Sequence, residues 1–582
     1  MSRVERRYAA AVKDRRITGR PASPGYAVGR IHLLDVLTGA GAQVYPDPEG
    51  DPVTNAAPEP TVRDPALEAG RLARALTTAI EEVRALIASL EDGAASNRDA
   101  IDILGFQLVL MQDEALAAPA LQAIAAGRTA VEAWRTAVNE QIRWYQTATD
   151  EYFRARASDL GDIRDRVLAC LHRGSSDSGD WLAAIPQGAL LLAGDLAPSR
   201  FLAIEPRRLG ALLLLQGSPS SHVAMLARAR GLPMIVGLEP GGLPVREWQG
   251  LDATVDANGG EVVLSPGAQT LVTHADSVRR EAAIDAAAEN LRLKSACTAD
   301  GVPIRICINL SDLDELDDVD PASCDGIGLA RTEFLFQGDS GLPDEETQYL
   351  AYRRMLEWAG GRIVTIRTLD AGGDKPIAGL TVEGELNPFL GVRGLRLSLA
   401  REDVFRVQLR ALARAARHGA IRVMVPMVTM PHELVQVRRM LEEELAALAR
   451  AGVPAARPPV GMMVEVPAAA LMAGAFDAGF FSIGSNDLAQ YVSAVGRDVG
   501  SLADLASPTQ PAMLRLIAEV VAAGDRLGIE TSLCGDAASD PDEIAALLGT
   551  GLRTLSVAPA QLARVKLAVA GTRLAAARAA AS

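Results

Sequence analysis

Seven polar side chains in the second half of this chain stand at or just past short apolar runs with the composition of buried strands: Asn309, Arg331, Arg367, Glu465, Asn486, Asp487 and Cys534. The guanidiniums of Arg331 and Arg367 are rigid, permanently charged forks that match phosphate and carboxylate oxygens. Glu465 and Asp487 form an all-oxygen pair suited to Mg²⁺, which takes one or two carboxylates and completes its octahedron with water and substrate oxygens. Arg497 follows on the next loop and adds a third cation, and the Cys534 thiol faces the same site. A small phosphorylated acid would satisfy all of these groups. Phosphoryl transfer asks for positioning and charge neutralisation more than for covalent chemistry.

An acceptor for such a group lies in the first half. Gly217-Ser218-Pro219-Ser220-Ser221-His222 follows the apolar run Ala211 to Leu215 and precedes a small-residue helix that ends at Gly231-Leu232-Pro233. Ser220 or Ser221 is a helix cap, Gly231 suits the left-handed closing position, and Pro233 keeps the helix from resuming. His222 therefore opens a helix at a strand-to-helix corner, where free N–H groups disfavour an imidazolium and welcome an anion. A lone histidine there serves equally as a cap or core residue. The strand-end constellation turns the argument toward a phosphate acceptor.

The elements that position these groups fall into blocks. Short β-like runs alternate with helical segments eight times: Ile304–Asn309, Gly326–Leu329, Ile363–Thr368, Val423–Met427, Gly461–Glu465, Phe480–Gly484, Thr531–Cys534 and Thr554–Val557. That is the arithmetic of a closed (β/α)8 barrel, whose sites lie at the C-terminal ends of the strands. Residues 297–582 form this domain, after a charged linker helix over 266–296. Residues 20–65 and 172–265 read as one small α/β domain, with a flexible Gly/Pro-rich connection over Thr38–Pro65 and a hairpin with an Asn-Gly turn at Val255–Val263. It is interrupted over 66–171 by a helical bundle with apolar stripes through Leu67 to Leu90, Ile101 to Met111, and a third long helix from Trp134 to Leu171. Residues 1–19 read as a polar extension without the apolar centre of a secretory signal. The net charge of −15 argues against nucleic acid as the main partner. No apolar run reaches membrane-spanning length. Cysteines at 170, 297, 307, 324 and 534 show no paired spacing, which fits a reduced, cytoplasmic compartment.

The His222 loop with Gly231-Leu232-Pro233-Met234-Ile235-Val236-Gly237 resembles the phosphohistidine loop of the phosphoenolpyruvate-utilising enzymes. Gly326 to Phe334, Ile366 to Lys375, Asn387 to Gly394, Gly461 to Ala469, Phe481 to Tyr491 and Leu533 to Asp536 resemble successive signatures of the Enzyme I branch, which serves bacterial sugar phosphotransferase systems. Asp150 to Ile163 is similar to the text of that family's bundle. The resemblance implies an α/β multidomain enzyme: a swivelling phosphohistidine domain with an inserted HPr-binding bundle, then a TIM barrel that binds phosphoenolpyruvate. Arg331, Arg367, Asn486, Asp487 and Arg497 would bind phosphoenolpyruvate. Glu465 and Asp487 would hold Mg²⁺, Cys534 would protonate the enolpyruvate carbon, and His222 would carry the phosphoryl group to an HPr-like phosphocarrier. The implied activity is that of a phosphoenolpyruvate-protein phosphotransferase, homodimeric through its barrel.

The sequence also departs from that family. Ala197 stands for Thr in Asp195-Leu196-Ala197-Pro198-Ser199, and Ser218, Pro219 and Ser220 alter the His loop. Gly496 stands for Asp before Arg497, and Asp536 for Glu after Cys534-Gly535. These changes suggest a divergent paralogue. Two alternatives stay open: a non-catalytic sensor of phosphoenolpyruvate, and a relative of phosphoenolpyruvate synthase or pyruvate phosphate dikinase, which would need a large ATP-binding domain.

Overall fold

The computed structural model describes residues 14–34, 64–91, 98–147, 151–172, 181–219, 221–336, 341–373, 377, 379–382, 384–496, 502, 505–575 and 577. Most of the 38–65 connection and residues 1–13 lie outside them. The chain divides into two compact units, Met1–Arg280 and Glu281–Ser582.

The first unit is built on strands β1 (Arg15–Thr18), β2 (Arg20–Ser23), β3 (Tyr26–Leu33), β4 (Ala189–Ala193), β5 (Leu209–Leu214), β6 (Met234–Val236), β7 (Asp252–Asp256) and β8 (Glu261–Leu264). They form one mixed sheet in the order β1-β8-β7-β3-β4-β5-β6-β2. Its centre, β3-β4-β5-β6, is parallel. Both faces of that centre are covered, which is why β4 and β5 read as unbroken apolar runs. Leu191, Ala193, Leu212 and Leu214 pack into the core shared with the helical bundle. Leu190, Leu192, Ala211 and Leu213 pack on the other face around the buried Trp248.

Residues 15–18, expected in the polar extension, instead form an edge strand. Ile17 is buried there while Arg16 reaches out to Glu261 at 2.7 Å. The β7–β8 hairpin closes through four residues rather than a two-residue Asn-Gly turn. The Asp256 carboxylate accepts from the backbone N–H groups of Asn258 and Gly259, and Asn258 is turned aside to accept from Gly25 N–H.

The bundle comprises helices Pro65–Glu91, Arg98–Gln112, Glu114–Ala125, Ala130–Thr147 and Glu151–His172. The single long third helix expected from the apolar stripe is therefore two antiparallel helices sharing one core, preceded by a short one. A stripe that continues through a chain reversal looks unbroken in sequence. Trp134, Val138, Ile163 and Val167 all meet in that core. The last bundle helix also reaches the α/β sheet fold of this unit. Asp162, 4 % exposed, accepts from the backbone N–H of Ser199 at 3.2 Å, from its hydroxyl, and from the Gln107 amide. Helix Pro198–Ala203 has Ala197 at its N-cap and no cap of its own. Asp162 supplies that function from the bundle.

A helix, Ala268–Glu289, leads from the first unit to the second. The second unit is a closed barrel of parallel strands β9 (Arg305–Leu310), β10 (Gly326–Ala330), β11 (Ile363–Arg367), β12 (Ile421–Val425), β13 (Val460–Val464), β14 (Phe481–Ile483), β15 (Thr531–Leu533) and β16 (Thr554–Val557). β16 pairs with β9 to close it. Each expected β run lies within one or two residues of a strand. The main core fills the space between strands and outer helices. A smaller cluster, Leu329, Met424, Met463, Phe480 and Cys534, packs separately from it.

Candidate active site

The barrel brings the strand-end residues together. Asn309 lies on β9, Arg331 follows β10, Arg367 ends β11, Glu465 follows β13, and Cys534 follows β15. Asn486 and Asp487 open helix Ser485–Ser493 after β14. Arg367, Glu465, Asp487 and Cys534 are each at most 5 % exposed.

What holds them is a chain of alternating charge. Glu333 Oε1 accepts from Arg367 Nη2 at 2.5 Å. Arg367 Nη1 lies 3.1 Å from Asp370 Oδ2, which also accepts from Arg393 Nη2 at 2.9 Å. Arg393 Nη1 donates to Asp487 Oδ1 at 3.1 Å and to the Tyr491 hydroxyl at 3.4 Å. Tyr491 in turn donates to the Phe389 carbonyl, fixing the loop that precedes Arg393. Burial works against the charge of both guanidiniums, and their carboxylate neighbours more than offset it, so each is held protonated above its ordinary range. Breaking one partner out of a buried pair costs roughly 3–5 kcal/mol.

Glu465 sits inside this lattice with one oxygen committed. Oε1 accepts from Met427 N–H at 2.6 Å, while the buried Oε2 has no hydrogen-bond partner. Met427 adopts φ 57°, a left-handed conformation that costs a non-glycine residue on the order of 1 kcal/mol or more, and it is held there beside the carboxylate. Burial first, then the charges of Asp487 and Asp370, push Glu465 up to about 8 against the pull of Arg367 and Arg393. Among the described residues, the carboxylates Glu333, Asp370, Glu465 and Asp487 lie around two buried guanidiniums, Arg367 and Arg393. The uncommitted Glu465 oxygen, beside further carboxylates, fits a hard divalent cation. Among the described residues, no group of three or more His, Cys, Asp or Glu side chains is gathered as a metal site.

Burial pushes the Cys534 thiol up to about 11, with Ser482, Arg367 and Arg331 pulling the other way. Its Sγ donates to the Ile483 carbonyl at 3.6 Å. Its carbonyl accepts from Asn309, whose own Oδ1 accepts from Ser556, so β9, β15 and β16 are tied at this point. Asn486 and Asp536 bond reciprocally: the amide donates to Asp536 Oδ2 and accepts from Asp536 N–H, each at 2.9 Å. A side chain at Gly535 would strike Ser485 Oγ, so glycine is required between the thiol and this pair. Arg331 is half-buried and donates to Ser311 at 3.1 Å. A cavity of about 660 Å³ opens beside Asn309, Ser311, Arg331 and Asp536.

His222 lies in the other unit. It is the first residue of helix His222–Ala229, capped by Ser221, whose hydroxyl accepts from Ala224 N–H at 3.3 Å. Gly231 takes φ 62°, the left-handed closure its position requires. The loop before it is held by Arg20 on the Gly217 carbonyl and Arg228 on the Pro219 carbonyl. The His222 side chain is 30 % exposed, with Nδ1 3.6 Å from Asp159 of the bundle. Arg497 and Ser220 lie outside the described residues.

Three families of the phosphoenolpyruvate-utilising enzymes match in succession: the N-terminal domain over residues 18–156, the mobile domain over 185–260 and the phosphoenolpyruvate-binding domain over 285–574. A phosphoenolpyruvate-protein phosphotransferase of Geobacillus stearothermophilus is 35% identical over 570 residues, 96% of this chain and 94% of that protein. One from Bacillus sp. (strain S) is 35% identical, covering 94% and 91%, and one from Haloferax volcanii is 41% identical, covering 73% and 74%. The chain belongs to the phosphoenolpyruvate-protein phosphotransferase family.

Within this phosphotransferase, the strand-end argument missed Glu333, Asp370, Arg393 and Tyr491. Each stands in or beside a quoted signature, but in a loop or on a helix rather than at a strand end. The available signal was charge alternation: an acid two residues after Arg331 and another three after Arg367, with Arg393 between two glycines.

The lattice predicts a pH dependence. Glu465 has a folded value raised above its ordinary one near 4.5, so without a divalent cation the protein loses stability as pH rises from about 4.5 to 8 and levels off beyond. Thermal melts in chelator should show that slope in the wild type, reduced in Glu465→Gln and cancelled for the wild type by Mg²⁺. Identical slopes for both proteins in chelator would contradict this assignment.

Proposed function

We propose that this protein transfers the phosphoryl group of phosphoenolpyruvate to His222, releases pyruvate, and passes the group to a histidine of an HPr-type carrier. The observation that carries this reading is the buried lattice at the barrel mouth, where two guanidinium forks, a carboxylate pair and a protonated thiol converge. Phosphoenolpyruvate offers the matching pieces: a phosphate and a carboxylate for the arginines, oxygens for a metal, and a carbon that must gain a proton.

Arg331 and Arg367 bind the two anionic groups, with Arg497 and the Asn486 amide completing the set. Asp370 and Glu333 orient Arg367, so its fork is aimed before substrate arrives. Glu465 and Asp487 would hold Mg²⁺, which when bound supplies neutralisation of phosphate charge. A ring nitrogen of His222 attacks phosphorus, and the bond from phosphorus to the enol oxygen breaks. The electron pair moves through the enolate, and carbon takes the Cys534 proton to give pyruvate. Because Nδ1 faces Asp159, Nε2 is the nitrogen open for attack. The bundle resembles the carrier-docking insertion of its relatives, and a homodimer through the barrel accompanies the reading. Among the described residues no helix is long and apolar enough to cross a membrane. The comparisons favour neither a phosphoenolpyruvate synthase nor a non-catalytic sensor.

Incubation with phosphoenolpyruvate labelled on phosphorus, with Mg²⁺, should place one acid-labile phosphate on the protein at His222, located by mass spectrometry. The His222→Ala protein should take up none, and equal labelling of it would overturn the assignment.

Cys534→Ala should still bind phosphoenolpyruvate, because the arginines and carboxylates are untouched. Its pyruvate-forming turnover should fall by roughly 10²–10⁴-fold, the contribution of a positioned proton donor. Cys534→Ser should be nearly as slow, since a hydroxyl is a much weaker acid. Wild-type turnover in Cys534→Ala would move the proton source elsewhere, with Asp536 or a water as next candidates.

A further inference from the structure

The last bundle helix presents two buried carboxylates, one turn apart, to the phosphohistidine fold. Asp162 is committed to Ser199 and Gln107 and is accounted for as a cap. Asp159 is 1 % exposed, and its Oδ1 lies 3.6 Å from Nδ1 of His222. A carboxylate buried this deeply is ordinarily paired, and the ring that opens the proposed acceptor helix is within ionic reach of it.

We propose that Asp159 is the positioning residue of His222, an inference that rests on His222 being the phosphate acceptor. A neutral imidazole carries one proton, and the group beside one nitrogen decides which nitrogen keeps it. Asp159 holds the proton on Nδ1. The Nε2 lone pair is then free and directed away from the bundle. On transfer, Nε2 forms the bond to phosphorus, the bond from phosphorus to the enol oxygen breaks, and Nδ1 keeps its proton throughout. The ring becomes cationic as the bond forms, and Asp159 offsets that charge. The same arrangement couples the bundle to the chemistry: the element proposed to receive the carrier also sets the tautomer of the acceptor.

The test uses the full-length protein with ¹⁵N-histidine. Its six histidines are few enough to resolve, and His222 is assigned by its loss in His222→Ala. The wild-type ring should be the Nδ1–H tautomer. Asp159→Asn should abolish that preference and slow autophosphorylation by roughly 10–100-fold, as for other histidines that lose an orienting carboxylate. Asp159→Glu should recover part of both. Asp162→Asn should lower the melting temperature and leave the tautomer unchanged. A wild-type ring protonated at Nε2 would overturn the proposal without any variant. So would Asp159→Asn phosphorylating at the wild-type rate, or losing rate with its tautomer intact. Phosphate uptake by His222→Ala would instead overturn the functional reading, so the two failures are distinguishable.

Discussion

Everything at the barrel mouth depends on burying charge without leaving it unbalanced. Glu333, Arg367, Asp370, Arg393 and Asp487 alternate in sign and touch in sequence. Removing such groups from water costs several kcal/mol each, and only close, hydrogen-bonded partners recover it. The lattice therefore fixes the Arg367 and Arg393 guanidiniums in place. One oxygen of it stays uncommitted. Glu465 keeps a buried oxygen without a protein partner and shares its neighbourhood with Asp370 and Asp487. In the proposed reading, a divalent cation and an anionic substrate would complete what the protein leaves open.

The backbone is shaped around the same groups. A Cβ at Gly484 would stand 2.9 Å from Glu465 Oε2, so the helix carrying Asn486 and Asp487 can start close to that carboxylate only through glycine. Strain at Met427 is tolerated for the same reason, because its N–H holds the other Glu465 oxygen. These positions are fixed by their neighbours more than by local preference, as expected where a fold commits rigidity to a site.

The barrel was legible because its strands are short apolar runs at regular spacing, and the barrel itself says where polar side chains gather. Arg367, Glu465, Asp487 and Cys534 followed from that geometry alone. Arg393 and Asp370 did not, because loops bring them to the site and no periodicity governs a loop. The reversal between helices Ala130–Thr147 and Glu151–His172 was hidden since both sides of it contribute to one stripe. Ile17 was lost among arginines, since one inward side chain on a four-residue edge strand is too short a pattern to see. Asp159 lies in the Asp150 to Ile163 stretch without standing out from it, and its burial 3.6 Å from His222 appears only in the fold.

The central claim is that the carboxylate lattice presents a rigid, preorganised guanidinium fork, and not merely positive charge. Calorimetric titration of phosphoenolpyruvate with Mg²⁺ into Arg367→Lys tests it most directly, alongside a melting curve to establish that the variant is folded. A lysine keeps the charge and loses the fork. Loss of one charge-assisted hydrogen bond, worth roughly 1.5–3 kcal/mol, should weaken binding by about tenfold or more. Wild-type affinity in a folded Arg367→Lys protein would contradict the account.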